Sequence, residues 1–270
     1  MRFSQYLGWW LGWACLAAAT LAAAADAPQV GIVASWQFKQ NARSVPYQQT
    51  VWQRLLERYR MFVTIMVDDD VLNDPAALEK YRCLVLPSTR HALTRSQLDN
   101  LAAYVRAGGK LIRDQHAVTV LGALGKNGWE VDAGPAARQA AADFWRMVGG
   151  VEDDGRLLAA AVRFPPGQGV LSELLPAEFK PVEALCDPAF DPLRQAAGYT
   201  LAGAAALAEA QADAAGGAAG KTCVLASIHR AGAGACVCLG INVRGLAGLG
   251  SPMAMYRDFF ANLAFWIAEK

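Results

Sequence analysis

Asp114, Gln115 and His116 follow directly on a short apolar run, Lys110–Arg113, that begins after the pair Gly108-Gly109. A carboxylate, an amide and an imidazole in consecutive positions can hold a polar ligand or move a proton, because each offers a different set of donors and acceptors. Polar residues follow four other apolar runs in the same way. Ser35 and Trp36 close the run from Gln29, Asp68-Asp69-Asp70 follow Met61–Val67, Ser88, Arg90 and His91 follow Cys83–Pro87, and Asn242 and Arg244 follow Ala235–Ile241. If these runs are strands of an open parallel sheet, their carboxyl ends flank the ligand crevice. The candidates for ligand contact are therefore Trp36, Asp68, Arg90, Gln115, His116, Asn242 and Arg244. Those for catalysis are His116 and Asp114.

Each candidate also has a plainer reading. His116 could cap a helix or bond the backbone in a strand-to-helix loop, His91 fits a surface loop, and His229 lies at a hairpin turn where a structural role suffices. Three consecutive carboxylates suit a hard cation. Consecutive side chains point to different sides, however, and no calcium-loop spacing follows, so Asp68–Asp70 reads better as a solvated strand end with helix-capping roles. No metal site is expected, because neither a CxxC pair nor a Cys/His zinc spacing occurs. The nucleophile elbows G-x-S-x-G and G-x-C-x-G are absent. So are the P-loop lysine motif and a G-x-G-x-x-G after the first run, and no cofactor is expected. A glycosidase carboxylate pair has no local signature, so a carbohydrate-processing site using His116 and nearby carboxylates stays open. The motifs lean toward a protein without catalysis.

The elements that must position these residues alternate. Gln29–Ser35 is a central strand, and Pro46–Tyr59 carries Val51, Leu55 and Leu56 at helical spacing. Met61–Val67 is β-favouring and predicts a second buried strand. Asp74-Pro75 opens a short helix to Tyr81 with an N-cap and a proline at its first position. Cys83–Pro87 is the third strand, and Thr94 or Ser96 caps a helix whose stripe is Leu98, Leu101, Ala102 and Val105. Gly108-Gly109 stops that helix, and Lys110–Arg113 is the fourth strand. Strands and helices joined this closely imply a parallel sheet covered on both faces.

The second half is less regular. Ala136–Val148 predicts a helix, while Arg156–Ala197 is rich in Pro and Gly and reads as loops and short strands. Propensity alone makes part of Leu201–Gly220 helical. A strand over about Ala204–Ala210 is preferred, because it would extend the hairpin Thr222–Ile228/Ala235–Ile241. Met253–Ile267 closes the chain as an amphipathic helix.

The 270 residues are 54% hydrophobic and 18% charged, with formal net charge +1. That supports one sizeable core and gives no electrostatic case for nucleic acid or an anionic membrane. Residues 1–25 hold one Arg, an apolar run and Ala23-Ala24-Ala25 before Asp26, the pattern of a cleaved signal peptide. An uncleaved anchor is the alternative; a lipoprotein at Cys15 fits less well. The expected location is periplasmic or secreted, with no membrane span after cleavage. Cys83, Cys223, Cys236 and Cys238 fall in apolar runs where buried thiols are common. Cys236 and Cys238 share a strand face and are poorly placed to bond each other. An oxidising compartment would permit a disulfide, for instance through Cys186, but spacing identifies none.

The pattern Tyr81…Leu84-Val85-Leu86-Pro87-Ser88…Leu93-Thr94…Leu98…Leu101…Tyr104-Val105…Gly108-Gly109-Lys110-Leu111-Ile112 resembles the class I glutamine amidotransferase-like superfamily, with Gly234–Gly240 and Arg257–Trp266 similar to its closing strand and helix. Within it, the chain is most similar to the β-galactosidase trimerisation domain and to ThuA-like proteins, whose His-containing loop and Trp/Leu-Gly-Gly segment resemble His116-Ala117 and Trp145–Gly150. The resemblance implies an α/β fold: a flavodoxin-like, mostly parallel sheet with helices on both faces, plus an irregular insertion at about 151–220 and a β-hairpin. Residues 28–270 would form a single domain. Amidotransferases carry a nucleophilic Cys after the fourth strand, where this chain has Asp114-Gln115-His116, and the downstream His-x-Glu pair is missing. The implied function is a ligand-binding or assembly module of the cell envelope, with a carbohydrate or envelope protein as partner and homo-oligomerisation as an option.

Overall fold

The computed structural model describes residues 29–34, 45–88, 92–115, 117–125, 128–157, 159–181, 196–212, 221–241, 243 and 254–269. Its first half alternates as the sequence predicts: β1 (Gln29–Val33), α1 (Val45–Glu57), β2 (Phe62–Val67), two short helices α2 (Asp69–Asn73) and α3 (Pro75–Leu78), then β3 (Cys83–Leu86). A two-residue strand β4 (Ala92–Leu93), α4 (Arg95–Arg106) and β5 (Lys110–Arg113) follow. The second half comprises β6 (Val120–Gly125), β7 (Gly128–Asp132), α5 (Pro135–Val148), β8 (Val151–Leu157), β9 (Ala159–Arg163) and a 3₁₀ turn at Gly169–Ser172. Strands β10 (Lys180–Pro181), β11 (Ala196–Leu201), β12 (Ala205–Ala212), β13 (Thr222–Ala231) and β14 (Gly234–Leu239) lead to the closing helix α6 (Ala254–Ala268).

Five strands, in the order β2-β1-β3-β5-β14, pair in parallel. Numbered along the chain, that is the flavodoxin-like order 2-1-3-4-5, whose direction reverses between β1 and β3. Beyond β14 the sheet continues antiparallel through β13, β12, β9 and β10, with β11 joining β13 to β8. The hairpin and its third strand β12 are thus as expected from the sequence. The stretch Arg156–Ala197, read as loops and short strands, holds the five-residue β9 and the two-residue β10, while most of β8 lies ahead of it, where a polar and Gly-containing sequence hides the strand period.

Strand alternation divides the core into two layers. In β3, Cys83 and Val85 face α1 and α6, meeting Trp52, Leu56, Phe259 and Phe260, while Leu84 and Leu86 face α4 and α5, meeting Leu101, Val105 and Trp145. Complete burial of such side chains contributes roughly 1.5–3 kcal/mol each, which offsets the entropy of ordering the chain. The centre leaves little room: a Cβ on Gly31 would lie 2.5 Å from the Val67 side chain and 2.8 Å from that of Leu84.

Three local expectations change. β2 is the edge of the sheet rather than a buried strand, and Phe62 is 60% exposed. The run Asp68–Asp70 does cap a helix, α2, which the sequence reading did not anticipate; Asp69 is buried rather than solvated. The segment after β5 leads into strand β6 and a small sheet β4-β6-β7, not directly into a helix. Among the described residues no helix is long and apolar enough to cross a membrane.

Candidate functional site

Adjacent residues at the end of β5 point to opposite faces of the sheet, and each is fully buried. On the α1 side, Asp114 Oδ2 accepts hydrogen bonds from the Trp52 indole N–H (2.9 Å) and the Ser88 backbone N–H (3.2 Å), and Oδ1 accepts from the Gln115 N–H (2.7 Å). Burial pushes the Asp114 carboxyl up to about 7, against the pull of these three donors. Three donors converging on one carboxylate stabilise its charged form, so Asp114 ties α1 and the β3 loop to the end of β5. The bend that follows is unusual: Val118, buried and β-branched, has φ +52°, and its carbonyl accepts from the Trp145 indole N–H (2.9 Å). A left-handed backbone at such a residue costs on the order of 1–3 kcal/mol, which the surrounding packing of α5 must impose.

On the opposite face, Arg113 lies beneath α5. Its guanidinium carbon is 4.4 Å from the Trp145 ring centroid and 5.5 Å from that of Tyr199, and Nη2 donates to Asp153 Oδ2 at 2.9 Å. Its Nε and Nη1 have no hydrogen-bond partner among the described residues. Tyr199 in turn donates its hydroxyl proton to the Leu239 carbonyl (3.0 Å). Burial opposes the Arg113 charge, but Tyr199, Asp153 and Cys238 around it more than offset that and favour the cation. Cys238 stands opposite Arg113 in the β14–β5 register, and its thiol is shifted down despite burial by the neighbouring Cys236 thiol and the guanidinium. The Cys236 and Cys238 sulfurs are 3.9 Å apart, and both thiols are free.

Of the residues singled out from the sequence, Asp114 and Gln115 lie side by side at the end of β5. Asp68 does not join them. It follows β2, three strand positions from β5, a separation of about 14 Å at the usual interstrand spacing. Its carboxylate accepts from the Val71 N–H at 3.2 Å as the α2 N-cap. Trp36, Arg90, His116, Asn242 and Arg244 lie outside the described residues, as do Ser35 and His91. His229 is a strand residue, with Nδ1 3.2 Å from the Gly203 carbonyl, in keeping with a structural role. Among the described residues no three His, Cys, Asp or Glu side chains are grouped to hold a metal ion.

Trp52 and Arg113 were missed from the sequence. Trp52 precedes Leu56 by four residues, one helical turn, and so shares its inward face. Arg113 ends an apolar run between two covering helices, where an unpaired charge would be expensive. Both signals were present but pointed to packing as readily as to a polar network.

Residues 28–118 match the β-galactosidase trimerisation domain. That segment covers β1 to the bend after β5, the region that carries Asp114. No curated protein matches the chain. Among solved structures, the cold-adapted β-galactosidase from Rahnella sp. R3 is similar at 16% identity over 88% of this chain and 31% of its own, with a TM-score of 0.54. The β-galactosidase from Bacillus circulans sp. alkalophilus is similar at 14% identity over 90% and 30%, TM-score 0.53. A ThuA-like protein from Bacteroides uniformis is similar at 13% identity over 90% and 92%, TM-score 0.53. The chain spans about a third of the length of the β-galactosidases it matches. These likenesses share the fold, and they fall on the two groups that the sequence resembles.

Proposed function

We propose that this chain is a non-catalytic, amidotransferase-like assembly domain in a carbohydrate-related system, exported to the periplasm or beyond. The observation that carries the reading is the match of residues 28–118 to a trimerisation domain, taken with the end of β5. There a nucleophilic enzyme of this shape would place a Cys, and this chain places Asp114, enclosed and bonded to Trp52, Ser88 and Gln115. A carboxylate engaged three times and closed to solvent supports the fold rather than attacking a substrate.

A second reading has its own support. The ThuA-like structure is matched over nearly its whole length rather than a third, so a free-standing carbohydrate-binding or carbohydrate-processing protein is the alternative. Trp36, Arg90, His116, Asn242 and Arg244 follow β1, β3, β5 and β14, which are neighbours in the sheet, and they would supply its ligand contacts. Light scattering across a wide concentration range tests the first reading, which predicts an oligomer. Turnover of chromogenic glycosides that disappears in His116→Ala, from a monomeric chain, would overturn the first reading and establish the second. Fractionation of the producing cells tests export: the reading expects the chain outside the cytoplasm and cut near Ala25.

A further inference from the structure

Cys236 and Cys238 lie on one face of β14, completely buried in the core layer beneath α4 and α5. Their sulfurs turn toward each other, 3.9 Å apart, and both are free thiols. Their surroundings differ. Cys238 stands opposite Arg113 in the β14–β5 register, whereas Cys236 stands opposite His229 in the β13–β14 register. The Cys236 thiol and the guanidinium favour the Cys238 thiolate against burial, while burial keeps Cys236 protonated. The thiolate is the nucleophile in thiol–disulfide exchange, so Cys238 is the attacking sulfur and Cys236 the one that follows.

Strand geometry decides what kind of bond the two could make. Residues two apart on a strand have Cα atoms about 6.6 Å apart. That is the far end of the roughly 4.4–6.8 Å a disulfide spans, and beyond its usual 5.5–6 Å. A bond formed there is strained, and strained disulfides are the readily reduced ones. We propose that Cys236 and Cys238 form a reversible redox pair, closed by a small disulfide oxidant such as oxidised glutathione. The Cys238 thiolate attacks the glutathione disulfide, and the first glutathione leaves and takes up the proton that Cys238 shed. Cys236 then attacks the Cys238 sulfur and passes its own proton to the second departing glutathione. Two electrons and two protons thus move from the pair to the oxidant. Closure draws Cys238 away from Arg113 and so removes a neighbour that favours its cation between Trp145 and Tyr199. A loop this short adds little by constraining the unfolded chain, so closure lowers stability. The oxidant enters by local opening of α5, since a Cβ on Gly149 at its end would lie 2.8 Å from Cys238 Sγ. The inference is independent of the assembly reading and concerns residues outside the matched segment 28–118.

Equilibration of the folded chain in mixtures of reduced and oxidised glutathione tests it, followed by acid quenching, unfolding, alkylation and tryptic mass mapping. Both cysteines fall in one peptide, residues 231–244. Oxidising mixtures should remove two hydrogens from that peptide and block its alkylation, and the thermal midpoint should fall. Excess reduced glutathione should restore both alkylation sites. Cys236→Ser should stop at a glutathione adduct on Cys238, and Cys238→Ser should form neither bond, with circular dichroism checking that each variant folds. A wild-type peptide fully alkylated in every mixture overturns the pair, whatever the variants do. A bond that excess reduced glutathione fails to reopen overturns the reversible device and leaves a fixed staple. Oxidation that joins either residue to another cysteine overturns the pairing, and an adduct in Cys238→Ser but not in Cys236→Ser overturns the order of attack.

Discussion

Asp114 shows how a residue type that suggests chemistry can also be bound into the core of the fold. From the sequence it was a candidate acid or base; in the fold, both carboxylate oxygens accept from Trp52, Ser88 and Gln115. Burial still dominates its titration and sets it near 7, against about 4 for a free carboxyl. The folded state therefore binds a proton that the unfolded state releases between pH 4 and 7, and stability declines across that interval and levels off above it. The decline is on the order of 4 kcal/mol at most. Urea unfolding of wild type and Asp114→Asn at several pH values checks this: the wild-type advantage should shrink from pH 4 to pH 7. An advantage that grows with pH would show that the three donors outweigh burial. At neutral pH Asp114→Asn should cost about 1–3 kcal/mol, because an amide N–H must face one of the donors. Arg113 makes the opposite case. Tyr199, Asp153 and Cys238 outweigh its burial and favour the cation. Arg113→Met, which keeps the volume between Trp145 and Tyr199 but loses the pair with Asp153, should cost on the order of 1–3 kcal/mol in thermal denaturation. An unchanged or raised midpoint would show that desolvation of the guanidinium outweighs these contacts.

At the level of elements, what the sequence revealed depended on where the signal for each element lies. Helix α4 was legible, with its cap narrowed to Thr94 or Ser96, because its signals are local. Thr94 accepts from the Gln97 N–H at 3.2 Å, Gln97 Oε1 accepts from the Thr94 N–H at 2.9 Å, and Gly108 at φ +120° ends the helix. Helix α2 was not, because the same Gln97 amide reaches Asp69, 28 residues away, at 3.0 Å, a contact that no local pattern encodes. β8 was missed for a related reason. Its sequence Val-Glu-Asp-Asp-Gly-Arg-Leu has no period of two and is held by pairing with β11. Among the described residues, Asp68 follows β2 and Asp114 and Gln115 follow β5, yet their depth was not legible, since burial of Asp114 is set by α1 folding across it. Gln97 therefore matters twice, to α4 and to its docking on α2. Gln97→Ala should cost about 2 kcal/mol, more than the roughly 1 kcal/mol expected for Thr94→Ala. Thermal denaturation of both variants checks the order, and a Thr94→Ala loss equal to or larger than that of Gln97→Ala would deny Gln97 its second role.

For the molecule as a whole, the question is whether the matched segment is a folding unit. Residues 28–118 supply β2, β1, β3 and β5, but the sheet does not end there. β5 pairs along its whole length with β14, from Ala235↔Lys110 to Cys238↔Arg113. The core layer on the α1 side is completed mostly from beyond Val118, by Val237, Leu239, Tyr256, Phe259, Phe260, Leu263 and Ile267 among others. Cutting after Val118 would leave β5 an open apolar edge and uncover that face of the sheet, a loss of many side chains each worth roughly 1.5–3 kcal/mol. Net stabilities of only about 5–15 kcal/mol cannot absorb it. A fragment spanning 28–118 is therefore expected to lack a cooperative urea transition, whereas the chain from residue 28 to its end should unfold in a single one, because one continuous sheet joins its halves. Circular dichroism and tryptophan fluorescence should trace the same midpoint, with Trp52 reporting on the first half and Trp145 and Trp266 on the second. Two separated midpoints, or a cooperative transition in the fragment, would make the matched segment an autonomous domain and the remainder an appendage.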